Sequence, residues 1–103
     1  MRIYKKPYLG TSIKNYKKLI EDIKSKKPLL GYYVICVKDG AGILTIFSVG
    51  EFLKQEGYII VGISMGKVEA FNLTRHIIEN HFKKFRNFKN FSDIYSNKTY
   101  TAL

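Results

Sequence analysis

Gly62-Ile63-Ser64-Met65-Gly66 has the spacing G-x-S-x-G, in which a serine on a tight strand-to-helix turn is the nucleophile of an α/β-hydrolase. Such a serine needs an imidazole to take its proton and a carboxylate to orient that imidazole, in the chain order Ser, Asp/Glu, His. Both histidines, His76 and His81, lie on the helix that directly follows Ser64, and none follows Asp93. At 103 residues the chain is also less than half the usual size of that fold. The pentapeptide therefore reads as a helix start, with Ser64 as N-cap and Gly66 allowing the helix to pack closely on a sheet. A small serine hydrolase using Ser64 ranks last among the functional readings.

Gly66-Lys67 after a strand has the ending of a phosphate-binding P-loop, but the match fails. Gly62 stands one residue too close to Gly66, and Val68 occupies the place of the Ser/Thr that ligates Mg²⁺. What survives is a single-anion site of Ser64, Gly66 and Lys67, where N–H groups at a helix start act with the helix dipole. His76 and His81 are five apart, so they do not share one helix face, and no carboxylate or thiol cluster completes a metal site. They read as surface or boundary histidines, and no cofactor is implied. Cys36, flanked by apolar residues, reads as a small buried hydrophobe. As the single cysteine it excludes an internal disulfide framework.

Basic and aromatic residues interleave from His81 to Phe91. Lysines there can meet phosphates while exposed rings stack on bases. The spacing of three in Phe82, Phe85, Phe88 and Phe91 equally suits rings that cover a sheet face and leave the lysines in water.

The charge frames these motifs. The chain carries 18 Lys+Arg against 8 Asp+Glu, a formal +10, and lysine outnumbers arginine 15 to 3. With 13 Ile and 6 Asn, this is residue usage that an AT-rich genome also produces. The distribution says more than the sum. Residues 1–27 have a surplus of seven positive charges, residues 28–66 a deficit of one, and residues 67–103 a surplus of four. Basic flanks around an apolar centre attract polyanions in a salt-sensitive way, or keep a small protein in solution. At 46% hydrophobic and 15% aromatic the chain is too apolar for disorder and fits one domain. It has neither a signal peptide nor an apolar run of membrane length, so a cytoplasmic protein with no membrane partner is expected.

The elements follow from periodicity. Ile13, Tyr16, Leu19, Ile20 and Ile23 recur at three and four, predicting an amphipathic helix over about 13–26, capped by Thr11-Ser12 and stopped by Pro28. Its other face carries Lys14, Lys17, Lys18 and Lys24, with Lys17–Glu21 and Asp22–Lys26 as i,i+4 pairs. Runs at 32–37 and 43–47 around Asp39-Gly40 predict a hairpin. Residues 48–55 predict a short helix with Ser48 as cap, Glu51 three residues later and Phe52 and Leu53 turned inward; Gly57 ends it. A third strand at 58–63 leads into a helix over about 66–83, with Val68, Phe71, Ile77, Ile78 and Phe82 as its buried stripe.

The predicted fold is α+β, a three-stranded mainly antiparallel sheet with two main helices and one short one, in the order α-β-β-α-β-α. All three strands are apolar at both parities, so both sheet faces need cover. Two long helices can pack on one face. The other falls to the aromatic segment around Phe85, Phe88, Phe91 and Tyr95, to Ile3-Tyr4, or to a second copy of the chain. Residues 96–103 are expected to fray, or 98–103 to add an edge strand.

Tyr33-Val34-Ile35, Ile43-Leu44-Thr45-Ile46, and Tyr58-Ile59-Ile60-Val61-Gly62-Ile63 leading to Gly66, Glu69 and Ala70 resemble a group of short uncharacterised proteins from clostridia and related Firmicutes. The likeness covers residues 32 to about 82. It implies a fold of this order and a bacterial, intracellular origin, but no catalytic residue, and it extends to neither Ser64 nor the lysine-rich ends.

The expected function is thus a non-enzymatic binding module for nucleic acid or another polyanion. Its candidate residues are Lys14, Lys17, Lys18 and Lys24 on the first helix and Lys83, Lys84, Arg86 and Lys89 after the second long one. The alternative is a homodimeric protein-interaction or regulatory module whose charge serves solubility or an acidic protein surface.

Overall fold

A computed structural model describes residues 2–27, 29–38, 43–85 and 100–102. The order is β1 (Arg2–Leu9), α1 (Tyr16–Lys24), β2 (Tyr32–Lys38), β3 (Leu44–Ser48), α2 (Val49–Phe52), β4 (Tyr58–Met65), α3 (Lys67–Phe85) and β5 (Tyr100–Ala102). The chain is α+β, with a mixed five-stranded sheet ordered β3-β2-β4-β1-β5. The predicted α-β-β-α-β-α order is intact inside this, but two strands flank it, so the expectation of three strands is corrected to five.

The hairpin of β2 and β3 is antiparallel, as is the pairing of β2 with β4. β1 runs parallel to β4 and antiparallel to β5. Its register jumps between Ile3 and Tyr8, with Lys5-Lys6-Pro7 in the irregular stretch. Proline cannot donate to a ladder and is tolerated at such a break, and this tripeptide hides the strand from a pattern search. β5 realises the edge strand that was one of two expectations for 98–103.

Both sheet faces are buried, as the apolar parity required, but the two long helices do not share one face. α1 and α2 close the first core, which joins Leu19, Ile23, Val49 and Phe52 to Val34, Cys36, Ile60 and Ile63. α3 closes the second, in which Ile77 meets Ile35, Val37, Ile59 and Val61. Ile3 helps line the first core, and Tyr4 and Tyr8 pack against the second. Each sheet face is thus covered by a helix of the chain itself, whereas the sequence reading leaves one face to the aromatic segment, to Ile3-Tyr4 or to a second copy. Phe88, Phe91 and Tyr95 lie outside the described residues, and of the Phe85 side chain nothing is described.

The α3 stripe is rotated from its predicted phase. Ala70, Ile77 and His81 are buried, whereas Val68, Phe71 and Phe82 are 74%, 64% and 45% exposed. The cause lies in β4, where a bulge between its pairings with Ile35 and Cys36 puts Val61 and Gly62 on the α3 face. A side chain on Gly62 would meet Ile77, Ile35 and Leu73 at 3.2–3.3 Å. Gly62, not Gly66, is therefore the glycine that lets the helix approach. Ala70 sits fully buried one helical turn before Leu73 and Thr74.

α1 starts at Tyr16, capped by Asn15, whose Oδ1 accepts from the Lys18 N–H at 3.1 Å. Thr11 and Ser12 are not its caps. It ends in a Schellman motif: Lys26 is left-handed at φ 59°, its N–H donates to the Ile23 carbonyl at 3.0 Å, and the Lys27 N–H donates to that of Asp22 at 3.0 Å. Because the chain leaves the helix there, Asp22 pairs with Lys27 (3.3 Å) rather than with Lys26. The short helix keeps its predicted cap but not its predicted length, running over Val49–Phe52 with Leu53 as C-cap rather than to 55: Ser48 Oγ accepts from the Glu51 N–H at 3.2 Å and donates to Glu51 Oε1 at 3.0 Å. No helix among the described residues is long and apolar enough to cross a membrane.

Candidate functional site

The residues with the best claim to function meet where β1 leaves the sheet and β4 enters α3. The Gly10 N–H donates to the Ile63 carbonyl at 2.9 Å, which fixes the start of the connection to α1 beside the end of β4. From the first turn of α3, Glu69 reaches back across this junction. Its Oε1 accepts from the Met65 N–H at 2.9 Å, and its Oε2 accepts from Ser12 Oγ at 2.7 Å, the Ser12 N–H at 3.3 Å and Thr11 Oγ1 at 3.4 Å. The Met65 N–H, with help from the Ser12 and Thr11 donors, holds this carboxyl below the ordinary glutamate range against an opposing desolvation effect. A negative charge at a helix start is also favoured by the helix dipole.

This clasp explains why Thr11 and Ser12 look like caps and are not: their hydroxyls serve Glu69. It also bears on the single-anion site. The side chain of Glu69 already brings an anion to the turn before α3, and the Gly66 N–H donates to the Gly31 carbonyl at 2.7 Å. Gly66 takes φ 83°, a turn conformation, and Lys67 is exposed at the helix start. Ser64 belongs to β4, two residues after Gly62, and is fully buried; among the described residues its Oγ meets no hydrogen-bond partner. It lies within the strand and is not the cap of α3, which corrects that reading, and its hydroxyl is shut off from solvent.

Two grooves flank the clasp and share Thr11 and Met65 as their common wall. The first, of about 690 Å³, runs between the start of α1 and the ends of β2 and β4. Lys14, Asn15 and Lys18 stand on its helical side, and Leu19, Leu29 and Tyr32 contribute apolar surface. Asp22 also lines it, with its carboxylate held by Lys27. The second groove, of about 760 Å³, follows the start of α3 past Leu9, Lys67, Val68, Asn72 and His76. His76 is exposed and stands edge-on to the Tyr8 ring, 5.9 Å between centroids. His81, expected at the surface or boundary, is 1% exposed.

The predicted polyanion residues divide. Lys14, Lys17, Lys18 and Lys24 are all exposed around α1, and among the described residues none of them makes an ion pair. Lys14 and Lys18 border the first groove, while Lys17 and Lys24, seven apart, share another strip of the helix. Lys83 is exposed on α3, which covers the opposite sheet face from α1. Lys83 thus stands on the opposite side of the sheet from the lysines around α1. Nothing is described of the Lys84 side chain, and Arg86 and Lys89 lie outside the described residues.

Sequence reasoning missed Glu69, Tyr32 and Met65 as site residues. Glu69 had a usable signal, a glutamate three residues into a helix that follows a glycine turn. Cys36, read as a buried hydrophobe, is fully buried, and burial pushes its thiol well above its ordinary range. No protein-family model, curated protein or solved structure matches the chain.

Proposed function

We propose that the protein is a non-enzymatic module that binds nucleic acid or another polyanion through Lys14, Lys17, Lys18 and Lys24. The observation that carries this reading is four exposed lysines around one nine-residue helix, none in an ion pair among the described residues and two of them on the rim of a groove. Lysines that are already neutralised by carboxylates release few counterions from a polyanion; among the described residues these four have no ion pair to break. Lys83, exposed on α3, lies on the other side of the sheet, where it can add charge but not complete the same groove.

The test is a titration of the whole chain with duplex DNA and with heparin at several salt concentrations. Replacing the four lysines by glutamine should weaken binding and flatten the slope of log K against log salt by about 3 to 4 for duplex DNA, at ~0.9 per phosphate contact. No binding at low salt by the unmodified protein overturns the reading.

A second reading, self-association, rests on Val68, largely exposed on α3 beside the half-exposed Leu9 and Met65, and on Phe71, also largely exposed on α3. Sedimentation of the unmodified chain and a Phe71→Ser variant distinguishes it: a dimer that Phe71→Ser dissociates supports it, and a monomer at tens of micromolar ends it.

A further inference from the structure

The first groove differs from a merely basic surface in having an apolar floor. Tyr32 lies at the start of β2, half-buried against the first core and paired across the sheet with Met65, and both residues line the groove together with Lys14 and Lys18. Its volume of about 690 Å³ falls within the ~300–1,000 Å³ of ordinary small-ligand clefts. Its two acidic neighbours are already engaged, Asp22 by Lys27 at 3.3 Å and Glu69 by Ser12, Thr11 and Met65. Asp22 is thus neutralised by its ion pair, whereas Glu69, held by uncharged donors, keeps its charge but does not line this groove; the unpaired charges on the groove's described lining are those of the two lysines. A ligand that satisfies both floor and rim must carry a flat apolar group and a repeating negative charge within a few ångströms of it.

A duplex has the charge but keeps its bases stacked inside, so it would leave the floor empty. An acidic peptide without aromatic residues, such as polyglutamate, has the charge without the ring. A single strand has both, because its bases can be splayed onto aromatic side chains while its phosphates meet lysines.

We infer that this groove takes an unpaired nucleobase against the Tyr32 ring, with Lys14 and Lys18 on the flanking phosphates, so that the preferred polyanion is single-stranded nucleic acid. This rests on the polyanion reading above and narrows it.

The experiment measures anisotropy of labelled oligothymidine, a duplex of equal length, and polyglutamate with the whole chain at two salt concentrations. The expected result is oligothymidine at least tenfold tighter than either competitor at the higher salt, a comparison that needs no variant. Tyr32→Leu should lose about 5- to 100-fold for oligothymidine with an unchanged salt slope, and Tyr32→Phe should retain binding, since stacking uses the ring and not the hydroxyl. Lys14→Gln with Lys18→Gln should flatten the single-strand slope by about 1.4, at ~0.7 per contact. Equal or tighter binding of the duplex or polyglutamate, or a folded Tyr32→Leu chain that binds oligothymidine like the parent, overturns this inference and leaves the polyanion reading standing. No binding of any of the three at low salt overturns both.

Discussion

Glu69 occupies the space that a side chain on Gly10 would need: a β-carbon built on Gly10 falls onto the Glu69 carboxylate. The absence of a side chain at one position is thus what lets the other clasp Thr11, Ser12 and Met65. Because the atom displaced is the far end of a flexible side chain, Gly10→Ala would act by expelling the carboxylate from its donors. Gly10→Ala and Glu69→Ala should each cost about 1 kcal/mol in urea unfolding, a modest figure because the clasp is solvent-accessible. The double variant should cost little more than either single one. Additive losses would show that the two residues act independently.

The same carboxylate sets a pH dependence. Its folded-state pKa is depressed, first by the Met65 N–H, so its contribution is fully present above the unfolded value of about 4.3 and is lost as pH falls through the folded value. Unfolding free energies of the parent and Glu69→Gln should therefore differ at neutral pH, with the parent more stable, and converge below about pH 4. A gap that stays constant down to pH 3 would contradict the assignment.

Ser64 presents the reverse case, a buried hydroxyl with no partner among the described residues. Ser64→Ala removes a desolvated polar group without opening much space, so thermal melts should show a chain equal to the parent or more stable by up to about 1 kcal/mol. Polyanion binding should be untouched. A clear loss of stability would mean that the hydroxyl has a structural partner.

Lys26 holds the left-handed position of the Schellman motif that usually belongs to glycine, at φ 59° and exposed to solvent. Lys26→Gly relieves the steric cost of an L side chain there, partly offset by greater freedom of the unfolded chain. The midpoint of urea unfolding should rise by the equivalent of about 0.5–1 kcal/mol, and a fall would contradict the capping geometry.

Much of the architecture was legible because it is written in local spacing. The inward residues of α1, the Ser48–Glu51 box, the hairpin runs and the apolar parity that demanded cover on both faces all rest on neighbours within four residues. What escaped depends on distant partners. β1 is a strand because β4 lies beside it, and Lys5-Lys6-Pro7 erases its alternation. The phase of α3 is set by the bulge that turns Gly62 toward it, so small Ala70 and polar His81 are buried while bulky Val68 and Phe71 are not. The Schellman end of α1 has a lysine where a sequence scan looks for glycine. At the site, Lys14 and Lys18 were identifiable from charge and spacing, but Tyr32 looked like any other strand aromatic. Only the folded chain brings it into one groove with them.

The strand pairings also carry a temporal consequence. β2 and β3 can close as a local hairpin, but β1 must find β4 across the whole of α1 and the hairpin, and β5 pairs residues 100–102 with residues 2–4. Loop-closure entropy makes such distant ladders slow to form. The outermost ladder, β1 with β5, should therefore be the last to zip up during refolding and the first to show amide hydrogen exchange.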